Sequence, residues 1–348
     1  MTTAAILLAA GGGSRFSGAA HKLRADVLGR PVLSWSLDAV LAAGFDDIVV
    51  VTGADPFEDL LPESVLRVHN ARWEEGQATS LHLGIETARA RGHDVVVVGL
   101  ADQPLVGSRT WRDLRQAKSH PIATATYAGS RRPPTRLAKS VWGMLPTEGD
   151  SGARVVFEEN LDLLIEVPSA GDPTDVDTQD ALATVRQRAV DLVSVTDLLG
   201  REPMGPFEVV VRDQTGKPVV LKNYPLLADG RPMPTLYWLC GRRESMLVGR
   251  LESMKGVRRA EAEVGLDAIS EAHDRYRIER DTMLESSGAS PAYRPSGGVG
   301  GTRTGVKCLH AHYGWWLAGG DDPVGQWVAD HLHEVDSPTW PTQPTEVS

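Results

Sequence analysis

Three short runs in the first hundred positions, AAILLAA (4–10), DIVVVT (47–52) and VVVVGL (95–100), limit what this chain can fold into. Apart from Asp47 and Thr52 at the ends of the second they are continuously apolar, so they lack the alternation of a strand with one wet face, and they are too short for buried helices. Such runs suit strands covered on both sides, which is the condition of a parallel sheet. Strands are predicted at Ala4–Leu8, Asp47–Thr52, Val65–Val68, Asp94–Leu100, Ile122–Tyr127 and Leu163–Val167. Helical periodicity falls between them at Val32–Ala43, Ser80–Arg91, Arg109–Lys118 and Gly152–Glu159. Strand–helix alternation of this kind implies an α/β domain with a mostly parallel sheet.

The chain has 348 residues, more than one hydrophobic core usually serves, so a second domain is expected. The pattern changes near residues 190–205. GPFEVVVRDQTGKPVVLKN reads as a hairpin turning at Asp213–Gly216, and a long charged helical stretch follows from about Ser245 to Leu284. A glycine-rich segment then leads to an aromatic-rich helix ending at Gly319–Gly320. Asp322 caps the next helix, with Pro323 in its first position. The expected organisation is an α/β domain over 1–190, a smaller α+β domain over 196–333, and a disordered Pro/Ser/Thr-rich tail over 334–348.

A net charge of −10 argues against a general nucleic-acid or anionic-membrane binder, although a small anion could still sit in a local basic pocket. Two cysteines cannot make a disulfide framework. The apolar N-terminus lacks the basic start and the length of a signal peptide, and no run approaches a membrane helix. A cytoplasmic location is the expectation.

The first strand runs straight into LLAAGGGSRFSGAAHKL (7–23). Loops of this composition bring backbone N–H groups close to phosphate oxygens. The two commonest templates do not fit. A dinucleotide fingerprint from Gly11-x-Gly13 would place Phe16 where a small residue is needed, and a P-loop from Gly13-x4-Gly18 would end in Ala19–Ala20 rather than Lys-Ser/Thr. A plain turn would need one glycine, whereas three glycines with Arg15 and Lys22 nearby cost chain entropy unless a ligand is bound.

VVVVGLADQPLV places Asp102 just past the end of a buried strand, where open α/β sheets build their sites. A carboxylate there suits Mg²⁺, and a helix-capping turn before Pro104 is the plainer alternative. HNARWEEGQATSLHLGI offers Asn70, Trp73, Gly76 and Ser80, EGDSGARVVF offers Gly149, Asp150, Gly152 and Arg154, and DVDTQDAL offers Asp177. Ser80 or Thr79 could cap a helix, as could Asp177 or Thr178.

These five stretches, in this order, resemble the MobA-like nucleotidyltransferase superfamily over residues 4 to about 185. The loop resembles the pattern L-A-x-G-x-S-x-R-F/M-G-x-x-K through Leu8, Ala9, Ala10, Gly11, Ser14, Arg15, Phe16, Gly18 and Lys22, with a longer stretch than the pattern's between Arg15 and Lys22. EGDSGARVVF and DVDTQDAL are similar to the molybdopterin cytidylyltransferase type. The resemblance implies a Rossmann-like, mostly parallel sheet and transfer of a nucleoside monophosphate from an NTP to a phosphorylated acceptor such as molybdopterin, with pyrophosphate released. Ala10 in the third loop position favours CTP over GTP. The segment YAGSRRPPTRL departs from the type and leaves the acceptor open.

The resemblance further implies Ala9, Ala10, Gly11, Gly12, Gly13, Ser14, Arg15, Lys22, Asn70, Gly76 and Ser80 on the nucleotide, and Asp150, Gly152 and Arg154 on the substrate. Arg15, Lys22 and Asp102 would be catalytic, and Asp102 and Asp177 would hold Mg²⁺. Two alternatives stand beside it: a nucleotidyltransferase acting on a sugar phosphate or another small phosphate, and a non-catalytic nucleotide-binding scaffold whose second domain recruits a protein partner.

Residues from about 196 to 330 resemble a bacterial domain of unknown function. Within them, Gly297–Gly301 with Gly305, Arg303 and Lys307 could form a second anion cradle or a loop before a helix. Cys308-x-His310-x-His312 raises metal binding. On a helix only Cys308 and His312 would align, and residues of these types beside Trp315 and Trp316 read more simply as core.

Overall fold

The computed structural model describes residues 2–17, 20–127, 129–150, 152, 156, 160–227, 230–233, 235–286 and 294–336. The chain divides into two compact units, Met1–Val190 and Asp191–Ser348.

The strands of the first unit are β1 (Thr3–Ala9), β2 (Asp26–Val27), β3 (Arg30–Pro31), β4 (Asp47–Thr52), β5 (Leu66–His69), β6 (Val95–Leu100), β7 (Ile122–Tyr127), β8 (Ser130–Ala138) and β9 (Leu164–Pro168). Its helices are α1 (Val32–Leu41), α2 (Gln77–Ala90) and α3 (Ser108–Gln116). A further helix among the described residues, α4 (Gln179–Leu199), begins in this unit. Seven strands form one sheet in the order β5-β4-β1-β6-β8-β7-β9. All neighbours are parallel except the two pairings of β8, which runs antiparallel to both β6 and β7.

β1 sits at the centre and every residue of it is buried. Ala4, Ile6 and Leu8 pack with Leu81, Ile85 and Ala88 of α2, and alternation sends Ala5 and Leu7 to the opposite face. Burying one such Ile or Leu is worth about 1.5–3 kcal/mol, so the unbroken apolar runs drive the layered arrangement. Gly84 lets α2 lie close to the sheet, since a Cβ there would fall 2.7 Å from the Ile6 side chain.

The strand β8 adds to the elements expected from the sequence, which name none over residues 130–138. Prolines cannot donate to a ladder. Here the pairing passes from Thr124↔Thr135 to Ala125↔Arg132, so a bulge absorbs Pro133 and Pro134 and the strand survives. The predicted helix Gly152–Glu159 lies largely outside the described residues.

The second unit holds a three-stranded antiparallel sheet of β10 (Phe207–Arg212), β11 (Pro218–Asn223) and β12 (Tyr237–Leu239). The expected hairpin turn is present, with the Gly216 N–H donating to the Asp213 carbonyl at 2.9 Å. The charged stretch expected as one helix is instead three, α5 (Arg242–Ser253), α6 (Gly256–Val264) and α7 (Leu266–Ser286). The breaks fall at Lys255, with φ +60°, and Gly265, with φ +86°, conformations that no helix interior accepts. Two further helices follow, α8 (Leu309–Leu317) and α9 (Pro323–His331). Their Trp315 and Trp327 join Tyr276, Leu247, Val248 and Leu251 in one core.

The expected disordered tail starts too early. Glu334 pairs with Arg259 at 2.8 Å, Val335 is fully buried, and Asp336 pairs with Arg243. Residues 337–348 lie outside the described residues. No helix among the described residues is long and apolar enough to cross a membrane.

Candidate functional site

A cleft of about 430 Å³ opens in the first unit beyond the carboxyl ends of β1 and β6. Strand order reverses beside β1, because β4 and β6 flank it, and α/β sheets place ligands at such points. The cleft is walled by Ala9, Ala10 and Gly11 from the glycine loop, by Arg15 and Lys22, by Trp73, Gly76, Gln77 and Ser80, and by Asp102, Asp150, Asp175 and Asp177.

Lys22 opens a short 3-10 turn, Lys22–Arg24, and reaches across the cleft. Its Nζ donates to Asp102 Oδ2 at 2.5 Å and to Asp177 Oδ1 at 2.7 Å, and Arg15 pairs with Asp177 Oδ2 at 2.7 Å. Lys22 is 11 % exposed and Asp102 18 %, whereas Arg15 is 75 % exposed and reaches Asp177 from the solvent side. Burial opposes the charge on Lys22, but Asp102 and Asp177 outweigh it and its pKa is raised. The ammonium therefore stays charged at neutral pH.

The Asp175–Asp177 segment is stitched to the Asp102 turn, with the Val176 N–H donating to the Asp102 carbonyl at 2.9 Å. Thr178 Oγ1 accepts from the Ala181 N–H at 3.1 Å and caps α4, which frees the Asp177 carboxylate for the cleft. Asp175 was not singled out from the sequence, although it stands two places before Asp177 in DVDTQDAL. Its burial, with the charges of Asp102 and Asp177 added, pushes its pKa up to about 6. Asp102 Oδ1 and Asp175 Oδ1 are both buried and have no hydrogen-bond partner.

Orphaned carboxylate oxygens of this kind are costly unless something positive meets them. The donor set is all oxygen, which fits Mg²⁺ and does not fit a softer metal. Among the described residues no three His, Cys, Asp or Glu side chains form a ready metal cage. That is consistent with an ion held by one or two carboxylates and completed by phosphate and water.

The other predicted residues divide. The Asn70 amide N–H groups donate to Thr79 Oγ1 at 2.9 Å and Ser80 Oγ at 2.8 Å, and its Oδ1 accepts from the Arg72 N–H, so it pins the start of α2 and does not wall the cleft. Gly76, at φ +111°, must be glycine because a Cβ would fall 2.4 Å from the Gly149 backbone. That contact straps the Gly149–Asp150 segment to α2, where the Ala78 N–H donates to the Gly149 carbonyl at 3.0 Å. Gly12 to Ser14 continue the loop between Gly11 and Arg15, both of which wall the cleft, Gly152 is not part of that wall, and Arg154 lies outside the described residues. Trp73 packs on Gly12, where a Cβ would fall 2.8 Å from the indole.

The second unit brings its candidates together differently. His310 Nε2 lies 3.1 Å from the Ser245 carbonyl and its Nδ1 3.2 Å from Glu252, while His312 Nδ1 lies 2.7 Å from Asp322. Burial raises the pKa of the Cys308 thiol, away from the thiolate that a metal needs. Cys308, His310 and His312 thus have separate surroundings. Gly297–Gly301 is closed on itself, with the Gly298 N–H on the Thr302 carbonyl and the Val299 N–H on His273 Nδ1.

Comparison with known proteins separates the same two segments. Residues 5–163 match the MobA-like NTP transferase domain, and residues 209–330 match a protein family of unknown function, DUF501. The bifunctional protein GlmU of Rhodopseudomonas palustris is 29% identical over 160 residues, covering 44% of this chain and 34% of GlmU. The bifunctional enzyme IspD/IspF of Caulobacter vibrioides is 37% identical over 110 residues, covering 30% of this chain and 28% of that protein. The chain thus spans about a third of the length of these relatives. The crystal structure of Rv0371c from Mycobacterium tuberculosis superposes with a TM-score of 0.48 at 27% identity, over 53% of this chain and 97% of Rv0371c. Each half of the chain thus has its own likeness, the first to the MobA-like NTP transferase domain over residues 5–163 and the second to DUF501 over residues 209–330.

Proposed function

We propose that the first domain is a Mg²⁺-dependent nucleotidyltransferase that moves a nucleoside monophosphate, CMP in preference, from an NTP to a phosphorylated acceptor. The observation that carries this reading is the Lys22 ammonium between Asp102 and Asp177, beside a glycine loop and two orphaned buried carboxylate oxygens.

An acceptor phosphate oxygen forms a bond to the α-phosphorus, the bond from that phosphorus to the bridging oxygen breaks, and pyrophosphate leaves with the electron pair. Such chemistry needs positioning and charge neutralisation more than covalent help. Gly11 to Ser14 offer backbone N–H groups to the phosphate chain, and Lys22 and Arg15 neutralise charge on the transferred and leaving phosphates. Asp102 and Asp177, with Asp175 adjacent, are the residues that would hold Mg²⁺, whose contribution is to offset phosphate charge. Ala10 supports CTP and the EGDSGARVVF and DVDTQDAL segments support molybdopterin, both through the family resemblance.

The test is pyrophosphate release from each of the four NTPs with Mg²⁺, against molybdopterin, sugar phosphates and other small phosphates. CTP-selective release that needs molybdopterin is expected. Release with a different acceptor keeps the chemistry and replaces the substrate. Tight nucleotide binding without turnover on any acceptor would favour the scaffold reading, in which the second domain recruits a partner.

A further inference from the structure

The glycine loop is held by its carbonyls. The Ala10 carbonyl accepts from the Ala54 N–H at 3.1 Å and the Gly13 carbonyl from the Phe16 N–H at 2.8 Å. Between them, the Gly11 carbonyl lies 2.8 Å from His21 Nε2. In the same ring, Nδ1 lies 3.2 Å from the Leu23 N–H and can only accept from it. The proton is therefore on Nε2, and His21 donates to Gly11 as a neutral imidazole.

A trans peptide points its C=O and the following N–H in opposite directions. Fixing the carbonyls of Ala10, Gly11 and Gly13 thus fixes the N–H groups of Gly11, Gly12 and Ser14. Among the described residues nothing accepts from the N–H groups of Gly11, Gly12, Gly13 or Ser14. Two of the three anchors are backbone, and His21 is the side chain among them. Its ring is set edge-on against Phe57, 5.2 Å between centroids, and Phe57 is fully buried at φ +50°. A bulky residue held at positive φ stores strain that the surroundings must offset, here the bidentate Arg24–Asp55 pair and the Phe57 N–H bond to Asp55.

We propose that His21 is a positioning residue for the nucleotide: by holding the Gly11 carbonyl it aims the Gly12 N–H at the phosphate chain. The inference rests on the nucleotide reading above. His21 touches no reacting atom and acts through the loop.

Two substitutions separate its two hydrogen bonds. His21→Asn keeps an acceptor where Nδ1 stands but cannot reach Gly11, whereas His21→Gln keeps a donor where Nε2 stands. Calorimetric binding of CTP and of inorganic tripolyphosphate to the full chain with Mg²⁺ is measured for wild type, both variants and Lys22→Ala, with melting temperatures recorded. Affinity for both probes is expected to fall about tenfold in His21→Asn and to stay within about twofold in His21→Gln, as loss of one aligned hydrogen bond predicts. Equal effects of the two variants, or no effect of either, overturn the role of His21 while leaving the site intact if Lys22→Ala still loses binding. No binding of either probe by the wild type, with Lys22→Ala no different, overturns the nucleotide reading and the role of His21 with it.

Discussion

The two domains each carry a glycine loop served by a neutral histidine, and they use it to opposite ends. In the first, His21 takes the Leu23 N–H on Nδ1 and gives its Nε2 proton to Gly11; in the second, His273 takes the Val299 N–H and gives its proton to the Gly305 carbonyl at 2.9 Å. Around Gly298, however, the loop satisfies itself. The Gly298 N–H meets Thr302, the Gly301 N–H meets Gly298, and the buried Arg280 donates to the Gly297 carbonyl at 2.6 Å. Around Gly11 the carbonyls of Ala10, Gly11 and Gly13 are tied off and, among the described residues, the N–H groups are left over. The lesson is that glycine content and nearby cations do not make an anion site. What makes one is a surplus of donors after the fold has satisfied its own acceptors.

The sharpest break of this comparison is chemical. On the proposed reading, Asp102→Asn and Lys22→Ala should each lower kcat by about 10³-fold or more, equivalent to about 4 kcal/mol on the barrier, because the first removes a carboxylate that would hold Mg²⁺ and the second a cation that would neutralise the phosphates. Melting temperature should move little. The steady-state rate of pyrophosphate release together with a thermal melt checks both halves, and a rate within tenfold of wild type would remove these residues from the machinery.

The converse should hold in the second domain. A Cβ at Gly298 would fall 2.3 Å from the His273 side chain, so Gly298→Ala should cost about 3 kcal/mol of stability by overpacking a closed loop. Nucleotide affinity of the first domain should be unchanged. Denaturant unfolding beside a CTP titration reads both, and a fully stable Gly298→Ala would mean that this loop is looser than its hydrogen bonds imply.

A smaller effect is expected at Asp322. One of its oxygens accepts from the Val324 and Gly325 N–H groups at the start of α9, and the other meets His312. Asp322→Ala removes the cap and strands a buried imidazole, for a cost of about 2 kcal/mol. Asp322→Asn keeps the cap oxygen and should recover part of it in the same unfolding assay.

How much of this was legible in the sequence follows the same division. The runs at 4–10, 47–52 and 95–100 declare a doubly covered sheet because burial on both faces leaves polar residues only at the ends of the second, Asp47 and Thr52. The carboxylate of Asp102 is placed by strand end alone. β8 was hidden because two prolines and three arginines look like loop, and only the pairing register shows a bulge taking up the prolines. The break at Lys255 was hidden because a positive φ at lysine has no local signature. Asp175 differs from Asp177 in burial rather than in chemistry, and burial is a property of the assembled fold. That the Asn70 amide braces the start of α2 through Thr79 and Ser80 shows only in the fold, because the loop spacing does not reveal which hydroxyls it meets.

The mildest prediction concerns pH and the second domain. His310 stands against Glu252, which raises the pKa of the imidazole above its ordinary 6.5, while Glu252, despite burial, is held below its ordinary 4.5 by His310 and by the Leu309 N–H. The stabilisation from His310 is complete below its unfolded pKa and is lost as pH rises through its raised folded value. That from Glu252 is complete above its unfolded pKa and is lost as pH falls through its lowered folded value. The pair therefore contributes most between about pH 4.5 and 6.5, and for a partly exposed pair the contribution is no more than about 1 kcal/mol. His310→Gln should narrow the stability gap to wild type at pH 8 and at pH 3.5 relative to pH 5.5, as read from urea midpoints. A gap that does not vary with pH would show that His310 contributes only through its bond to the Ser245 carbonyl. It would also make this histidine, like His273, a structural clasp rather than a charged partner.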